Sequence, residues 1–405
     1  MKKYFFIDKS YTKNQIKMKK ILLLFLYVTI VIGKPFFQQS SIFPLQDKHV
    51  HGSSIVETSN GDLLACWFYG SGERTANDVL IKGSRLRNGN NKWDDVFEMA
   101  DTPNLPDCNP VLWIDNNDKL WLFWIAVRAN RWENSILRYR TSVNYLSEGE
   151  PQWNWQDDII LQPGDKFSET IQSAFEKHVD EPMWAEYALP YSKLILDASK
   201  DPEKRQKGWM TRIHPLSLEA GRILLPLYSD GYNISIIAIS DDNGINWKAS
   251  SPIVGLGPIQ PSLVEKKNGH IIAYMRDSGN DPKRILKSIS KDKGETWSFA
   301  TDTKIPNPSS SVEVLQLKNG NWIMACNDTE SNRNQMAILL SFNEGKSWDV
   351  KKYVGKYDEN SGITLSYPSL IQSSDGRIHL TYSLKENKGK TIQHVIFNED
   401  WIKKK

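Results

Sequence analysis

Apolar residues occur along most of the chain in short runs separated by polar turns, and one arrangement recurs six times. Each copy has an apolar strand, a tight turn ending in glycine (once in aspartate) and a second apolar strand. Such turns favour two-stranded hairpins, because glycine, asparagine and aspartate accept positive φ at little cost. The pattern therefore predicts six β-hairpins: Ile55–Trp67, Val111–Trp124, Leu216–Tyr228, Leu263–Met275, Val314–Cys326 and Leu370–Tyr382.

The spacing of these hairpins indicates how the strands are grouped. The turn residues are Gly61, Asp118, Gly221, Gly269, Gly320 and Gly376, at successive intervals of 57, 103, 48, 51 and 56. A period of about 50 residues is typical of a four-stranded propeller blade. The longest interval fits one blade plus an insertion, which we expect at about residues 148–207. There Ile171, Phe175 and Val179 recur at helical spacing and predict one short amphipathic helix.

A second repeat lies between the later hairpins. Ser240–Trp247, Ser290–Trp297 and Ser341–Trp348 share the form S-x-D/N-x-G-x-x-W, and Ser84–Trp93 and Ser142–Trp155 are degenerate versions. In this form the aspartate or asparagine bonds its own turn, the glycine takes positive φ and the tryptophan packs between blades. Together the two repeats predict an all-β chain, a six-bladed β-propeller with one short helical insertion.

The N-terminal segment has a different character. Met18-Lys19-Lys20 precedes the apolar run Ile21–Ile32 and then Gly33, which is the pattern of a secretory signal peptide. We expect residues 1–34 to be this signal, with 1–17 an over-extended start, and residues 35–405 to be the propeller. An uncleaved anchor is the alternative, although 12 apolar residues are few for a bilayer span. The mature protein is expected to be secreted or periplasmic, without a membrane span, and a monomer.

Charge and composition exclude several classes of function. The net charge is +3, but residues 1–34 hold eight lysines and one aspartate, so the remainder carries −4 and is a poor nucleic-acid binder. The three cysteines, Cys66, Cys108 and Cys326, are too few for a disulfide scaffold and lack zinc-site spacing. No metal-binding or cofactor-binding motif is present, so we expect neither a metal nor a cofactor. Fifteen tryptophans suit both sheet packing and stacking on sugar rings.

The repeated turns are Asp-boxes, and a six-bladed propeller that carries them resembles the sialidase (neuraminidase) superfamily, also called the BNR-repeat family. The resemblance covers roughly residues 47–397. It implies a glycan substrate, three arginines that bind the carboxylate of sialic acid, a tyrosine nucleophile assisted by a glutamate, and an aspartate as acid and base. A tyrosine suits this chemistry because a neutral phenol avoids the repulsion between a carboxylate nucleophile and the sugar's own carboxylate.

Three residues match the family's pattern. Tyr367 stands shortly before the last hairpin, as the nucleophile does. Arg276 closes the fourth hairpin like the second arginine, and Arg333 precedes the Asp-box serine Ser341 by eight residues like the third. The resemblance therefore implies that Tyr367 is the nucleophile and that Arg276 and Arg333 bind the substrate.

Other positions depart from the pattern. Gln260 stands where the family has its glutamate, and an amide cannot deprotonate a phenol. His51 stands where the first arginine is expected, and it could bind a carboxylate or act as acid or base. For the acid, the loop after the first hairpin offers Glu73 or Asp78, and the sequence does not choose between them.

Geometry adds two further candidates. Arg212, before the third hairpin, could face the same cavity, with His214 beside it. Asn109, in an Asn-Pro pair that opens the second hairpin, could line the cavity rim. Because all blades begin on one face around the axis, we expect the residues that open the hairpins to meet there: His51, Asn109, Gln260 and Tyr367.

Three functions remain open on these residues. The first is a secreted exo-acting glycoside hydrolase of sialidase type that removes a terminal acidic sugar. The second is another carbohydrate-active propeller enzyme, a rhamnosidase or a uronate-directed lyase, with His51 and Tyr367 as acid and base. The third is a non-catalytic glycan-binding propeller. Arg276, Arg333 and Tyr367 together favour the first, whereas Gln260 and His51 favour the others.

Overall fold

A computed structural model describes residues 34–178 and 191–404. Within these ranges the chain forms 24 strands in six four-stranded antiparallel sheets, which are the blades of a β-propeller. The predicted fold class is therefore confirmed, and each of the six predicted hairpins is an antiparallel strand pair. Residues 1–33 of the expected signal segment, and Val179 of the expected helix, lie outside the described residues.

The strands follow the order of the blades, except that the first strand belongs to the last blade. β1 (Phe37–Ser41) is the outermost strand of blade 6. Blade 1 has β2 (His49–Glu57), β3 (Leu63–Gly70), β4 (Leu80–Leu86) and β5 (Phe97–Ala100); blade 2 has β6 (Asp107–Ile114), β7 (Leu120–Val127), β8 (Ser135–Ser142) and β9 (Trp155–Asp158); blade 3 has β10 (Leu216–Ser217), β11 (Ile223–Ser229), β12 (Ile234–Ser240) and β13 (Lys248–Ala249). Blade 4 has β14 (Pro258–Glu265), β15 (Ile271–Asp277), β16 (Arg284–Ser290) and β17 (Thr301–Pro306); blade 5 has β18 (Glu313–Gln316), β19 (Trp322–Cys326), β20 (Gln335–Ser341) and β21 (Val350–Lys356); blade 6 is completed by β22 (Thr364–Gln372), β23 (Ile378–Glu386) and β24 (Gly389–Phe397).

The ring is closed by the two ends of the propeller chain. β1 pairs antiparallel with β24, from Phe37 opposite Phe397 to Ser41 opposite Gln393. The hydrogen bonds of this pair join residues more than 340 positions apart, so the first strand of the chain completes the blade that the last three strands begin.

The Asp-box turns have the hydrogen bonds, the positive φ at glycine and the tryptophan packing that the sequence predicts. In the first, Gly244 N donates to Ser240 Oγ at 2.8 Å, Asn246 N donates to Asp242 Oδ1 at 2.9 Å, and Gly244 has a φ of 82°. Trp247 packs edge-on against Trp121 of the preceding blade, with ring centroids 6.5 Å apart. These turns therefore cover the apolar core between neighbouring blades. They lie between the third and fourth strands of a blade rather than at its innermost strand.

The insertion differs from the expectation in two respects. β9 lies inside the expected range 148–207 but is the outer strand of blade 2. The insertion between blades 2 and 3 therefore begins after β9. It holds three short helices rather than one: α1 (Lys166–His178), α2 (Tyr191–Ser199) and α3 (Pro202–Arg205); a fourth, α4 (Glu399–Lys403), ends the chain. Phe167 of α1 packs on Trp209 and Tyr232, with centroids 5.9 and 5.5 Å away, which fastens the insertion to blade 3. No helix among the described residues is long and apolar enough to cross a membrane.

Candidate active site around Tyr367

Four innermost strands carry a β-bulge near their first residues. The pairing register of β2, β6, β14 and β22 shifts there, and one residue of each bulge has positive φ: Gly52 (63°), Asn109 (52°), Gln260 (56°) and Tyr367 (59°). A bulge changes the direction in which a side chain points, and strained non-glycine residues of this kind are common at functional sites.

The side chains at the bulges are linked across the axis. Asn109 Nδ2 donates to Tyr228 Oη at 3.0 Å, and Gln260 hydrogen-bonds both Tyr228 and Tyr367. The His51 ring lies edge-on to Tyr367, with centroids 4.2 Å apart. The structure thus brings together the four residues that were expected to meet.

Tyr367 lies among cationic and hydrogen-bond-donating groups. Arg276 Nη1 donates to its hydroxyl at 3.1 Å, and Arg333 Cζ lies 5.7 Å from its ring centroid. Burial raises the pKa of the Tyr367 phenol, but Arg276, Arg333 and the hydrogen bond from Gln260 outweigh it, so the pKa lies below its ordinary value. Such a phenol releases its proton more readily than free tyrosine.

The arginine side chains are held so that they face the same space. Arg276 Nε donates to Ser309 Oγ at 3.2 Å, and Arg333 Nη2 donates to the Ser309 carbonyl oxygen at 2.6 Å. Ser309 has a φ of 55° and presents both oxygens to the two guanidinium groups. Two arginines with a common anchor beside a phenol suit the binding of a carboxylate.

His51 is a neutral group in this site. Burial lowers the pKa of its imidazole to about 3, and repulsion from His49, Arg333 and Arg212 acts in the same direction, against attraction to Glu73. It therefore lacks the positive charge that an arginine would offer a carboxylate near neutral pH.

The two candidate acids have different surroundings. Glu73 Oε1 lies 3.1 Å from His49 Nε2, and the Glu73 carboxylate interacts electrostatically with Arg333 and with the Tyr367 phenol, which places it at the cavity. Burial raises the pKa of Glu73, but His49 and His51 outweigh it and the net shift is downward. Asp78 is exposed, lies 2.9 Å from Lys48 Nζ and accepts two hydrogen bonds from Ser71.

These contacts hold the pKa of Asp78 well below its ordinary value, chiefly through the bonds from Ser71 and Lys48. A carboxylate fixed in this way is a poor proton donor. Of the two residues that the sequence left open, the geometry favours Glu73.

Arg212 and Asn109 lie in the wall rather than in the open cavity. Arg212 is 3% exposed, its Cζ lies 4.9 Å from the ring centroid of Tyr367, and both terminal nitrogens donate to backbone carbonyl oxygens. Asn109 is 6% exposed and is used to hold Tyr228. The sequence suggested that Arg212 could face the cavity, and in the structure its guanidinium group lies against the ring of Tyr367 in the cavity wall.

Sequence reasoning missed several members of the site. Tyr228 bridges Asn109 and Gln260, and burial raises its pKa well above the ordinary value. Glu313 is buried on the axis, 2.5 Å from His214 Nδ1. Asp230 follows β11, and its carboxyl interacts electrostatically with Arg276.

One signal in the sequence marks the axial positions. The residue nine positions before each hairpin turn residue lies in the first half of an innermost strand or just before it: Gly52, Asn109, Arg212, Gln260, Ser311 and Tyr367. Three of these are followed by proline, which fits a β-bulge because proline has no N–H to donate to the strand pairing. This spacing identifies Arg212 as an axial residue without any structure.

Among residues 34–178 and 191–404, no group of three or more His, Cys, Asp or Glu side chains is arranged to hold a metal ion. The described site presents a phenol, a carboxylate and guanidinium groups. A phenol with a lowered pKa, a nearby carboxylate and two arginines can together bind an anion and exchange protons with it.

The fold and the site together define a class of protein: six-bladed propellers that carry Asp-boxes and have a tyrosine between arginines at the axis. The chain matches the family described as BNR repeat-like domain over residues 61–179 and 205–380, which is more than half of its length. It therefore belongs to this family of BNR-repeat propellers.

Named relatives are sialidases. The sialidase of Micromonospora viridifaciens is 25% identical over 228 residues, which cover 52% of this chain and 33% of that protein. The anhydrosialidase of Macrobdella decora is 24% identical over 195 residues, 44% of this chain and 25% of that protein. The chain thus spans about a quarter to a third of the length of these two relatives.

Solved structures show the same fold. The intramolecular trans-sialidase of Ruminococcus gnavus, in complex with oseltamivir carboxylate, superposes with a TM-score of 0.65 at 14% identity, over 90% of this chain and 98% of that chain. At this identity the likeness establishes a sialidase-like propeller fold, and the function must be argued from the site.

Proposed function

We propose that the protein is an exported glycoside hydrolase of sialidase type, which removes a terminal acidic sugar such as sialic acid from glycans. The observation that carries the proposal is the hydroxyl of Tyr367, which accepts a hydrogen bond from Arg276 at 3.1 Å while Arg333 lies beside the ring. Distant relatives named sialidase and anhydrosialidase support the substrate class. The predicted signal segment supports export.

In this reaction Arg276 and Arg333 bind the sugar carboxylate. Tyr367 first loses its phenolic proton to solvent and attacks as the phenolate: its Oη forms a bond to the anomeric carbon as the bond from that carbon to the leaving oxygen breaks, and Glu73 gives its proton to the leaving oxygen. Water, deprotonated by Glu73, then displaces the tyrosine. The charge of the bound carboxylate offsets the cations near Glu73 and so raises its pKa toward the range of a proton donor.

The site offers the sugar carboxylate fewer cations than the family's three arginines. His51, in place of one arginine, is neutral near pH 7, because its pKa is lowered to about 3. We therefore expect weaker binding of the carboxylate than a three-arginine site gives, and hence a higher KM.

A second candidate function has a specific observation in its favour. Gln260 stands where a proton-accepting glutamate is expected, and this suits a propeller that cleaves another acidic or deoxy sugar, or one that binds glycans without cleaving them. The candidates differ in what Tyr367→Phe changes. Turnover is lost if Tyr367 is the nucleophile, whereas a glycan-binding propeller has no turnover to lose.

The test is release of fluorophore from a fluorogenic sialic acid glycoside between pH 4 and 8. The purified protein, its Tyr367→Phe variant and a matched Tyr382→Phe variant are compared. Tyr382 is a buried tyrosine of the same blade whose hydroxyl accepts a bond from Gln39 at 3.1 Å, away from the axis. We expect release by the wild type and by Tyr382→Phe, and none by Tyr367→Phe.

The sialidase proposal is overturned if folded wild-type protein releases no fluorophore over this range. Rhamnosides and uronate oligosaccharides are then the substrates to screen, because cleavage of one of them would support the second enzyme class. Binding of a glycan without any turnover would support the lectin-like function.

A further inference from the structure

Arg212 is a buried cation beside the ring of Tyr367. Its Nη1 donates to the Ser53 carbonyl at 3.2 Å and its Nη2 to the Pro368 carbonyl at 3.1 Å. Ser53 follows the bulge residue of blade 1, and Pro368 follows Tyr367 itself in blade 6. One guanidinium group therefore ties together the two bulges at the place where the ring closes.

The charge of Arg212 is balanced by a carboxylate on the axis. Glu313 has a side chain 4% exposed, and after burial it is the largest influence on the pKa of Arg212. Glu313 Oε2 accepts a hydrogen bond from Leu370 N at 2.8 Å, and Oε1 lies 2.5 Å from His214 Nδ1. Both carboxylate oxygens are thus used, which fixes the anion in place.

His214 anchors this carboxylate to blade 1. Its Nε2 lies 3.0 Å from the carbonyl oxygen of Ile55, so both ring nitrogens face oxygen atoms that accept hydrogen bonds. A chain of contacts and charges therefore runs along the axis from His214 through Glu313 and Arg212 to Tyr367.

The hydroxyl of Tyr367 has no hydrogen bond to a carboxylate among the described residues. Its neighbours are donors, Arg276 and the Gln260 amide. Ionisation of the phenol must then be favoured by nearby cations and hydrogen-bond donors rather than by a base in contact with the hydroxyl. A cation over the ring face adds to this stabilisation of the phenolate.

We infer that Arg212 is a positioning residue for Tyr367: held by the carbonyl oxygens of Ser53 and Pro368, it fixes the bulge and stabilises the phenolate, so that the site can work with glutamine at position 260. The catalytic part of this inference rests on the proposed function. The effect on the phenol does not, because it can be measured in protein without substrate.

The test follows the ionisation of Tyr367 by NMR in full-length protein labelled at tyrosine ¹³Cζ, with the signal assigned through Tyr367→Phe. Arg212→Met removes the charge and both hydrogen bonds at similar side-chain length. A unit charge about 5 Å away changes an ionisation equilibrium by about two powers of ten at an effective dielectric of about 20. We expect the midpoint to rise by about one pH unit or more, a tenfold change.

Three further variants sharpen the test. Arg212→Lys keeps the charge and should recover at least part of the shift. Glu313→Gln removes the counter-charge and should move the midpoint in the opposite direction, to lower pH. Arg85→Met is the matched control, because Arg85 is a fully buried arginine of blade 1 whose Nη2 donates to the Tyr145 carbonyl at 2.6 Å.

The inference is overturned if the midpoint in folded Arg212→Met is unchanged, or if Arg85→Met moves it as far. Should Arg212→Met not fold, Glu313→Gln decides alone, and an unchanged or raised midpoint contradicts the inference. In turnover, the pH–kcat profile of Arg212→Met should shift to higher pH with little change in KM. Absence of turnover in the wild type would refute the proposed function and leave the NMR outcome valid.

Discussion

Gln260 is the residue that most clearly separates this site from one built around a tyrosine and a glutamate. It is 1% exposed, hydrogen-bonds Tyr367, and its Oε1 has no partner among the described residues. We predict that Gln260→Glu, which introduces the carboxylate expected from the family's pattern, lowers activity. The reason is that the surroundings of Tyr367 stabilise a phenolate with donors, and a second anion opposes this.

The magnitude follows from two contributions. A hydrogen bond to a charged group is worth about 1.5–3 kcal/mol, and this donor is lost. A carboxylate at hydrogen-bond distance from a phenolate, about 3 Å, adds a repulsion of about 5 kcal/mol at an effective dielectric of about 20. Because the pair keeps a shared proton, only part of this repulsion is felt. The smallest value, about 1.5 kcal/mol, still reduces the phenolate population about tenfold.

The assay is kcat/KM for the fluorogenic sialoside from pH 4 to 8, beside Gln260→Met as control. Methionine has a similar length but neither donor nor charge, so we expect about a tenfold loss for it and a larger loss for Gln260→Glu that shifts the profile to higher pH. A kcat/KM above that of the wild type in Gln260→Glu would refute the reasoning, because it would mean that Tyr367 requires a carboxylate base.

Three other predictions concern the acid, an Asp-box and the last blade. Glu73→Gln should lower kcat about 100-fold or more, the usual loss for a proton donor, whereas Asp78→Asn should leave it within about threefold; equal losses would contradict the assignment. Gly345→Ala should reduce the free energy of unfolding in urea by about 2 kcal/mol, because its φ is 71° and the added methyl would overlap the Tyr274 hydroxyl and lie 3.1 Å from ring atoms of Trp322. Burial lowers the pKa of His379 to about 4 and of His394 to about 3, so below pH 6.5 the unfolded chain binds protons that the folded chain does not. The free energy of unfolding should then fall as pH drops from 6.5 toward 4, by up to about 1.4 kcal/mol per pH unit for each imidazole, and a slope unchanged in His379→Gln/His394→Gln would contradict this.

The fold could be predicted from the sequence because its signals are local. A hairpin turn such as Asn60-Gly61 and an Asp-box such as Ser240–Trp247 each determine their structure within a dozen residues, and repetition supplies the rest. The closing strand Phe37–Ser41 escaped prediction, because its pairing partner is more than 340 residues away and it has no hairpin turn of its own. The outer strand Trp155–Asp158 was hidden for a related reason: it follows a long stretched turn rather than a tight one.

A site residue could be predicted only where a residue type suited to the chemistry stands at a recognisable position in a blade. Tyr367, Arg276 and Arg333 stand at strand ends on one face of the ring, and the structure brings them together. Glu313 had no such mark, because its partners His214 and Leu370 come from two other blades. The choice between acids likewise depended on a lysine about 30 positions away, since Lys48 binds Asp78.

The innermost strands also explain how one propeller can support different chemistries. In β14 the bulge at Gln260 is followed by regular pairing from Ser262 to Glu265, and the core residues Leu263 and Val264 lie in this regular part. A substitution at the bulge therefore changes what faces the axis without disturbing the hairpin. The same holds for Tyr367 and for Asn109 in their blades. It follows that the residue at position 260 can differ while the fold stays the same, so overall similarity cannot decide the reaction. The balance of charge around Tyr367 is what a test of function must address, and Arg212 and Gln260 are the two positions where that balance can be changed without removing the phenol.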